Sequence, residues 1–207
     1  MSTLKILQAH IVDDMQQYGG AEKVFITLGQ KLKEDASLEV FYAVNRGVVH
    51  DRLSLSGHKI FELPEKKNLK AFELIRVFQE IINACQPQVV HSHHRHLTFI
   101  LSLFFRHRVK ILHTQHVEMF DKRYLSLFGH HVAAVSQGVK QNLIKFFKVS
   151  ENKITVVYNG LPQEEVNDRR RAALAAELNI NPDRVVISCI ARFTEQKGHR
   201  YLVEAVS

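Results

Sequence analysis

Residues 88–113 of the chain read QVVHSHHRHLTFILSLFFRHRVKILH. Residues 88–91 and 109–113 are short β-branched and apolar runs, which are typical of strands buried in a sheet. Residues 97–105 between them are apolar nearly all round, which predicts a buried helix. A strand, a helix and a strand in this order indicate a parallel βαβ unit, so this stretch predicts an α/β protein.

The same alternation continues on both sides of this unit. Further strands are predicted at residues 5–9, 38–44, 59–63, 132–135 and 154–157. Helices are predicted after Gly19-Gly20, at residues 69–85 with Phe72, Ile75, Phe78, Ile82 and Cys85 facing the core, and from the N-cap residue Ser136 to about Phe147. Repeated βαβ units predict a doubly wound, Rossmann-like parallel sheet with helices on both faces. Such sheets bind their ligands at the carboxyl ends of the strands.

The pattern breaks at Asn159-Gly160-Leu161-Pro162, where Gly160 and Pro162 favour a turn. We therefore predict an N-terminal domain at residues 1–162. Residues 163–207 are interpreted as a linker and the first βα unit of a truncated second domain, with a helix at 168–178, a strand at 184–190 and a helix at 197–206. This unit has no sheet to join within the 207 residues.

The net charge and the cysteine content limit the kinds of partner and the compartment that are expected, but they do not identify one partner. The formal net charge is +7, which favours an anionic partner such as nucleic acid, a membrane surface or a phosphorylated ligand. The two cysteines, Cys85 and Cys189, lie in apolar stretches and are expected to be buried thiols in a reducing compartment. No apolar run is long enough to span a membrane, and the N-terminus does not resemble a signal peptide, so a cytoplasmic location is expected.

Polar residues that follow the predicted strands are the candidates for chemistry. In Gly19-Gly20-Ala21-Glu22 the glycines let the backbone approach a ligand, and a helix N-terminus favours an anion. A glycine turn that serves only the chain geometry is the alternative. In residues 91–96, HSHHRH, the four histidines suggest either a metal site or a polar rim facing a ligand, with one or two of the histidines buried. The rim is favoured because no thiolate or carboxylate stands at a convincing spacing.

Two further segments follow later strands. His116, in His113-Thr114-Gln115-His116, is expected at the mouth of the cleft, where a neutral imidazole can bond a sugar hydroxyl; a structural histidine is the alternative. Arg192 and Lys197 flank a turn between a predicted strand and a predicted helix. They are suited to holding a phosphate, although an exposed basic turn would look the same.

These segments, taken in order, resemble the retaining nucleotide-sugar glycosyltransferases of family 4, which have two facing Rossmann-like domains (the GT-B architecture). The resemblance runs from Leu4 to the end of the chain. It rests on the Gly19–Glu22 loop, Val89-Val90-His91-Ser92-His93, Thr114-Gln115-His116, Val135-Ser136, Val157-Tyr158-Asn159-Gly160-Leu161-Pro162, and Arg192 with Lys197-Gly198.

The resemblance implies a role for each matching residue. Gly19, Gly20 and Glu22 would meet the diphosphate of the sugar donor or the acceptor. His91 and His93 would line the binding site, and His116 would contact the donor sugar. Arg192 and Lys197 would stabilise the leaving diphosphate as its charge grows. The resemblance implies neither a metal nor another cofactor.

The resemblance also sets what the chain is expected to do. The acceptor would be a bacterial cell-surface glycan or glycolipid, as in lipopolysaccharide biosynthesis. Residues 104–110 and 140–148 are basic and aromatic and would suit a peripheral contact with anionic lipid. Family members carry a pair of glutamates deep in the second domain that these 207 residues do not contain, so the chain by itself is expected to be an inactive half.

Two other classes of function remain open. A nucleotide-sugar 2-epimerase uses the same two-domain architecture, and a non-catalytic ligand-binding module would share the scaffold. A nucleic-acid binder is disfavoured because the basic residues are scattered and no aromatic platform is interleaved with them.

Overall fold

The computed structural model describes residues 3–12, 18–65, 70–160, 167–181 and 185–206. By backbone contacts the chain divides into two compact units, Met1–Gly160 and Leu161–Ser207. The division lies close to the predicted boundary, while the assignment of the second unit to a second domain stays a prediction.

The first unit contains a seven-stranded parallel sheet in the order β3-β2-β1-β4-β5-β6-β7. Its strands are β1 Leu4–His10, β2 Leu38–Asn45, β3 Lys59–Leu63, β4 Val89–Ser92, β5 Lys110–Gln115, β6 His131–Ala134 and β7 Ile154–Val156. Its helices are α1 Gly20–Lys33, α2 Val48–Leu55, α3 Ala71–Cys85, α4 Arg95–Phe104 and α5 Gln137–Lys145. The second unit contributes α6 Asp168–Glu177 and α7 His199–Val206.

Strand β2 shows why helices cover both faces of this sheet. Successive side chains of a strand point to opposite faces. Phe41 and Ala43 pack in the cluster that α3 and α4 cover, whereas Val40, Tyr42 and Val44 pack in the cluster that α1 and α2 cover. A third cluster joins α5 to β6 and β7. Helices therefore cover both faces of the sheet, β3 and β7 form its edges, and the ends of the strands are left for ligands.

Two details of the predicted helices are wrong. Phe72 was expected in the core but is 77% exposed, because the buried stripe of α3 runs through Leu74, about 200° further round the helix. Helix α4 was expected to be buried on all sides, but Leu103 and Phe104 at its end are half exposed. The short helix α2 was not predicted; only Val49 and Leu53 of it are buried.

The second unit also differs from the expectation. Residues 185–190, which we predicted to lie in a strand, form none. A strand needs the backbone of a neighbour to pair with, and the described residues of this unit contain no other strand. Cys189 is consequently exposed and not buried as expected, whereas Cys85 is buried at the end of α3.

Candidate functional site

Three neighbouring strands of the sheet each end at a histidine. His10 is the last residue of β1, His93 follows β4, and His116 follows β5. The register places Ala9 beside Ser92 and Ser92 beside His113. Because the strands are parallel, the histidines meet at the carboxyl end of the sheet. The N–H of His93 donates to the carbonyl of Ala9 at 3.0 Å, which extends the ladder to that point.

A chain of hydrogen bonds runs from Gln8 through His93 to His116. Oε1 of Gln8 lies 3.1 Å from Nε2 of His93, and Nδ1 of His93 lies 3.1 Å from Nε2 of His116. An amide oxygen only accepts, so Nε2 of His93 carries the proton and its Nδ1 is the acceptor. His116 then donates from Nε2, and its own Nδ1 is left with a lone pair. No hydrogen bond to that Nδ1 forms among the described residues.

Two further histidines complete a group that we call the histidine cluster: His91, His93, His113 and His116. Nε2 of His91 lies 2.7 Å from the hydroxyl of Thr114, and Nδ1 of His113 lies 2.7 Å from that of Thr98. The rings of His91 and His93 are 4.2 Å apart, and that of His116 stacks on His93 at 5.3 Å. His93 therefore contacts His91 and His116 through its ring and also hydrogen-bonds His116, whereas His113 is held by Thr98 and Gln115.

Burial keeps the histidine cluster uncharged. It lowers the pKa of His91 to about 3, and the neighbouring His113 and His116 add to the effect. It lowers the pKa of His113 and of His116 to about 4 each, and that of the buried His93 well below its usual value. Each imidazole is thus neutral at pH 7, with one donor and one acceptor nitrogen. No group of three His, Cys, Asp or Glu side chains in the described chain has an arrangement that would hold a metal ion.

A carboxylate lies at the start of α1, beside this cluster. Oε2 of Glu22 accepts from the N–H of Gly19 at 2.9 Å, and Oε1 lies 3.4 Å from Nε2 of His10. Burial raises the pKa of Glu22, but its hydrogen bonds to His10 and to backbone N–H groups more than offset this and lower the pKa overall. The buried Glu22 is therefore ionised at neutral pH, and its charge already faces the positive end of the helix dipole.

Both ends of the connection between β1 and α1 are held by side chains. The amide of Asn45 bonds the backbone of Val12 twice, accepting from its N–H at 2.8 Å and donating to its carbonyl at 3.0 Å. At the other end, Glu22 holds Gly19. A Cβ on Gly20 would meet no atom of the described chain within 4 Å.

A sequence profile described as Glycosyltransferase Family 4 matches residues 18–165. The match covers well over half of the chain and includes the start of α1 and every member of the histidine cluster. The chain belongs to glycosyltransferase family 4.

Comparisons with individual known proteins agree with this family assignment. An uncharacterized glycosyltransferase of Methanocaldococcus jannaschii is 30% identical over 94 residues, which cover 40% of this chain and 23% of that protein. Crystal structures of a glycosyltransferase from Rickettsia africae and of Anabaena HepE in complex with UDP each resemble the chain with a TM-score of 0.79, at 21% and 14% identity. The matched regions cover 100% and 98% of this chain, respectively, and this chain spans 57% of the length of each of those two proteins.

A more distant likeness is to a UDP-GlcNAc 2-epimerase from Neisseria meningitidis bound to UDP-GlcNAc. Its TM-score is 0.55 at 16% identity, with 74% of this chain and 45% of that chain covered. At such identities the likenesses concern the fold alone. They confirm the predicted doubly wound, Rossmann-like sheet and match it to glycosyltransferases of the GT-B architecture.

The open space at the carboxyl end of the sheet is a cavity of about 730 Å³. It is lined by residues that follow β4 and β5, together with Ala21 at the start of α1. Its polar lining includes His93, His116 and Arg95. Arg95 is held by Asp121, donating to its carboxylate at 2.8 Å and to its carbonyl at 3.0 Å. The cavity has the position in which open α/β sheets bind their ligands, at the carboxyl ends of the strands.

The structure brings six of the predicted site residues together in the first unit: Gly19, Gly20, Glu22, His91, His93 and His116. Arg192 and Lys197 lie in the second unit, both exposed, on a turn in which the N–H of Lys197 donates to the carbonyl of Thr194 at 3.0 Å.

Two residues of the first-unit site were missed. Gln8 and His10 are buried polar residues at the end of β1. The signal that points to them is polar side chains with a period of two in an otherwise apolar strand, since Gln8 and His10 alternate with Leu7 and Ala9.

Proposed function

We propose that this chain is the acceptor-side part of a retaining glycosyltransferase, which moves a sugar from a nucleoside-diphosphate sugar to a glycan or glycolipid alcohol. The observation that carries the proposal is the neutral hydrogen-bond chain that ends on Nδ1 of His116, beside the carboxyl-end cavity of a family 4 chain. In this reaction the bond from the anomeric carbon to the diphosphate breaks, a bond to the acceptor oxygen forms on the same face, and the proton of the acceptor hydroxyl passes to the departing diphosphate.

A neutral His116 suits the charge that develops on the sugar. Glycosyl transfer has an oxocarbenium-like transition state, in which the sugar ring becomes positive. A protonated imidazole beside the ring would oppose that charge, and burial prevents it by lowering the pKa of His116 to about 4. The lone pair on Nδ1 accepts a hydrogen bond from a sugar hydroxyl. His93 and Gln8 are positioning residues that fix the ring and its tautomer.

The start of α1 is proposed to meet hydroxyl groups of the acceptor or of the sugar, and not the diphosphate. The ionised Glu22 sits on the first turn and already satisfies the N–H of Gly19. A second negative group there would be repelled by this carboxylate. The diphosphate is assigned to Arg192 and Lys197, whose cationic side chains stabilise a leaving group without a metal.

The proposed setting is the cytoplasmic face of a bacterial membrane, where cell-surface glycans and lipopolysaccharide precursors are assembled. No helix in the described part of the chain is long and apolar enough to cross a membrane. Contact with lipid would fall to the half-exposed Leu103 and Phe104, next to Arg106 and Arg108. Phe105 and Phe147, from the two predicted membrane stretches, are buried and take no part.

The test is a comparison of sugar donors in a complete enzyme that contains this chain. A donor analogue with fluorine in place of one hydroxyl accepts hydrogen bonds but does not donate them. If Nδ1 of His116 accepts from that hydroxyl, then His116→Ala lowers turnover of the normal donor by about tenfold to a hundredfold and has little further effect on the fluoro analogue.

The products distinguish the rival functions. Proton NMR of the glycoside shows an anomeric configuration equal to that of the donor if the enzyme retains. Formation of a 2-epimer without an acceptor would identify an epimerase. Sugar binding without turnover, in the presence of a broad set of acceptors, would identify a binding module. Equal losses for both donors on His116→Ala would overturn the assigned role of Nδ1.

A further inference from the structure

A second cavity, of about 480 Å³, lies away from the histidine cluster. It is lined by the end of α4 before β5, by residues just before β6, and by residues between α5 and β7. Segments that precede parallel strands all lie at the amino end of the sheet. We call this space the amino-end cavity. Strand β5, of six residues, separates it from the carboxyl end by about 20 Å.

The lining of the amino-end cavity is basic. Arg106, Lys148 and Lys153 line it, and no Asp or Glu of the described chain does. None of the three takes part in an ion pair or a side-chain hydrogen bond within the described chain. The charges of Arg106 and Lys153 reach His130, whose pKa is lowered by burial first and then by Lys110, Arg106 and Lys153. Three like charges without a counter-ion repel one another, and an anion between them removes that repulsion.

One neutral donor lies among these cations, since both ring nitrogens of His130 are already engaged by the backbone. Nδ1 of His130 accepts from the N–H of Ile111 at 3.0 Å, and the ring also bonds the backbone of Arg106. Ser102 lines the same cavity, is 7% exposed, and its hydroxyl has no hydrogen-bond partner in the described chain. An unpaired buried hydroxyl costs about 1–3 kcal/mol. A native structure that keeps one at a cavity wall is therefore consistent with a partner that binds there.

We propose that the amino-end cavity binds a phosphate group, carried by a soluble phosphoester or by a lipid headgroup. The chemistry is that of a compact tetrahedral anion: one guanidinium, two ammonium groups and a hydroxyl belong to residues that line the cavity, and no carboxylate of the described chain lines it. The two basic stretches that the sequence singled out, residues 104–110 and 140–148, meet at this cavity through Arg106 and Lys148. The site is separate from the proposed transfer site and does not depend on it.

The experiment uses the 207-residue chain, ¹⁵N-labelled, with inorganic phosphate as the first probe. Amide shifts of Gly129, His130 and Lys148 should move together along one saturable curve. Replacing one cation, as in Lys153→Gln, should weaken that curve about threefold to fivefold. The triple variant R106Q/K148Q/K153Q should weaken it more than about twentyfold. Lys145→Gln is the matched control, because it removes the same charge from an exposed position on α5 outside the cavity.

Ser102→Ala separates ligand binding from structure. Removal of an unpaired hydroxyl should leave the melting temperature unchanged or raised, while phosphate binds several-fold more weakly. If the Ser102→Ala variant loses stability and keeps its phosphate affinity, Ser102 serves the structure and not the ligand, and the proposal is contradicted.

Two arms identify the source of the phosphate. Glycerol 1-phosphate tests a soluble phosphoester, and vesicles of phosphatidylcholine with and without phosphatidic acid test a headgroup. Binding of glycerol 1-phosphate that the triple variant loses assigns a soluble ligand, and vesicle binding that the triple variant loses assigns a lipid. The proposal is overturned if none of these probes shifts the cavity amides, or if Lys145→Gln weakens binding as much as Lys153→Gln does.

Discussion

His93 holds the centre of the candidate site, and His93→Ala is expected to destabilise the first unit strongly. The side chain is 5% exposed. Its removal leaves Oε1 of Gln8 and Nε2 of His116 without partners, and each unpaired buried group costs about 1–3 kcal/mol. The ring also packs on Phe25 at 5.2 Å and on His91 at 4.2 Å, so a cavity is left. Water entering that cavity recovers part of the loss, and we expect a net cost of about 3 kcal/mol.

That cost is a large part of the stability of a domain this size, which is about 5–15 kcal/mol. It corresponds to a fall of about 6–12 °C in the melting temperature. Urea unfolding followed by circular dichroism measures it directly. His107→Ala is the control, because it is the same change at an exposed position and should stay within about 0.5 kcal/mol.

A double-mutant cycle tests the reasoning behind the number. Because Gln8 and His93 share a hydrogen bond, the double variant Q8A/H93A should cost at least about 0.5 kcal/mol less than the two single variants added together. A His93→Ala cost below about 1 kcal/mol would refute the argument, and so would strict additivity of the two substitutions.

Three further outcomes are expected. The free energy of unfolding should fall as the pH is lowered from about 6.5 to about 4, because the folded histidine cluster stays unprotonated while the unfolded chain takes up protons. The slope is at most about 1.4 kcal/mol per pH unit for each histidine. A flat profile in urea titrations at several pH values would contradict this expectation. In a complete enzyme, Arg192→Ala and Lys197→Ala should each lower turnover by about two to three decades at saturating sugar donor; an effect confined to the Michaelis constant would show that they bind the ground state only. Gly20→Ala should stabilise the chain by about 0.5 kcal/mol, since its Cβ meets no atom, and should still lower the rate of transfer by crowding the ligand; unchanged kinetics would leave the glycine with no role in binding.

Much of the sheet is predictable because its strands are buried on both faces. The composition of residues 88–113 is enough to predict their strands and helix, because apolar β-branched runs flank an apolar helical stretch. Helix α2 is not predictable in this way, since Val49 and Leu53 are the only residues it buries. The strand expected at residues 184–190 has the right composition, but composition does not supply a neighbouring strand.

The sequence predicts which positions form the candidate site, but it does not predict the hydrogen bonds that connect them. His91, His93 and His116 stand out because polar residues at the ends of buried strands face the ligand edge of the sheet. Their partners depend on the register between strands, which a single sequence does not encode visibly. Gln8 lies far from His93 along the chain, and only the pairing of β1 with β4 brings the two within 3.1 Å. The neutral state of His116 follows from the same packing.

The clamps at Val12 and Gly19 bear on how new specificities arise in this fold. Asn45 and Glu22 fix the two ends of the β1–α1 connection through backbone groups, so neither clamp depends on the residues between them. A change in the length of the connection between the two clamps therefore leaves the hydrogen bonds at Val12 and Gly19 in place. The connection is a natural place for divergence, or for a designed library, in which acceptor preference changes while the sheet stays as it is.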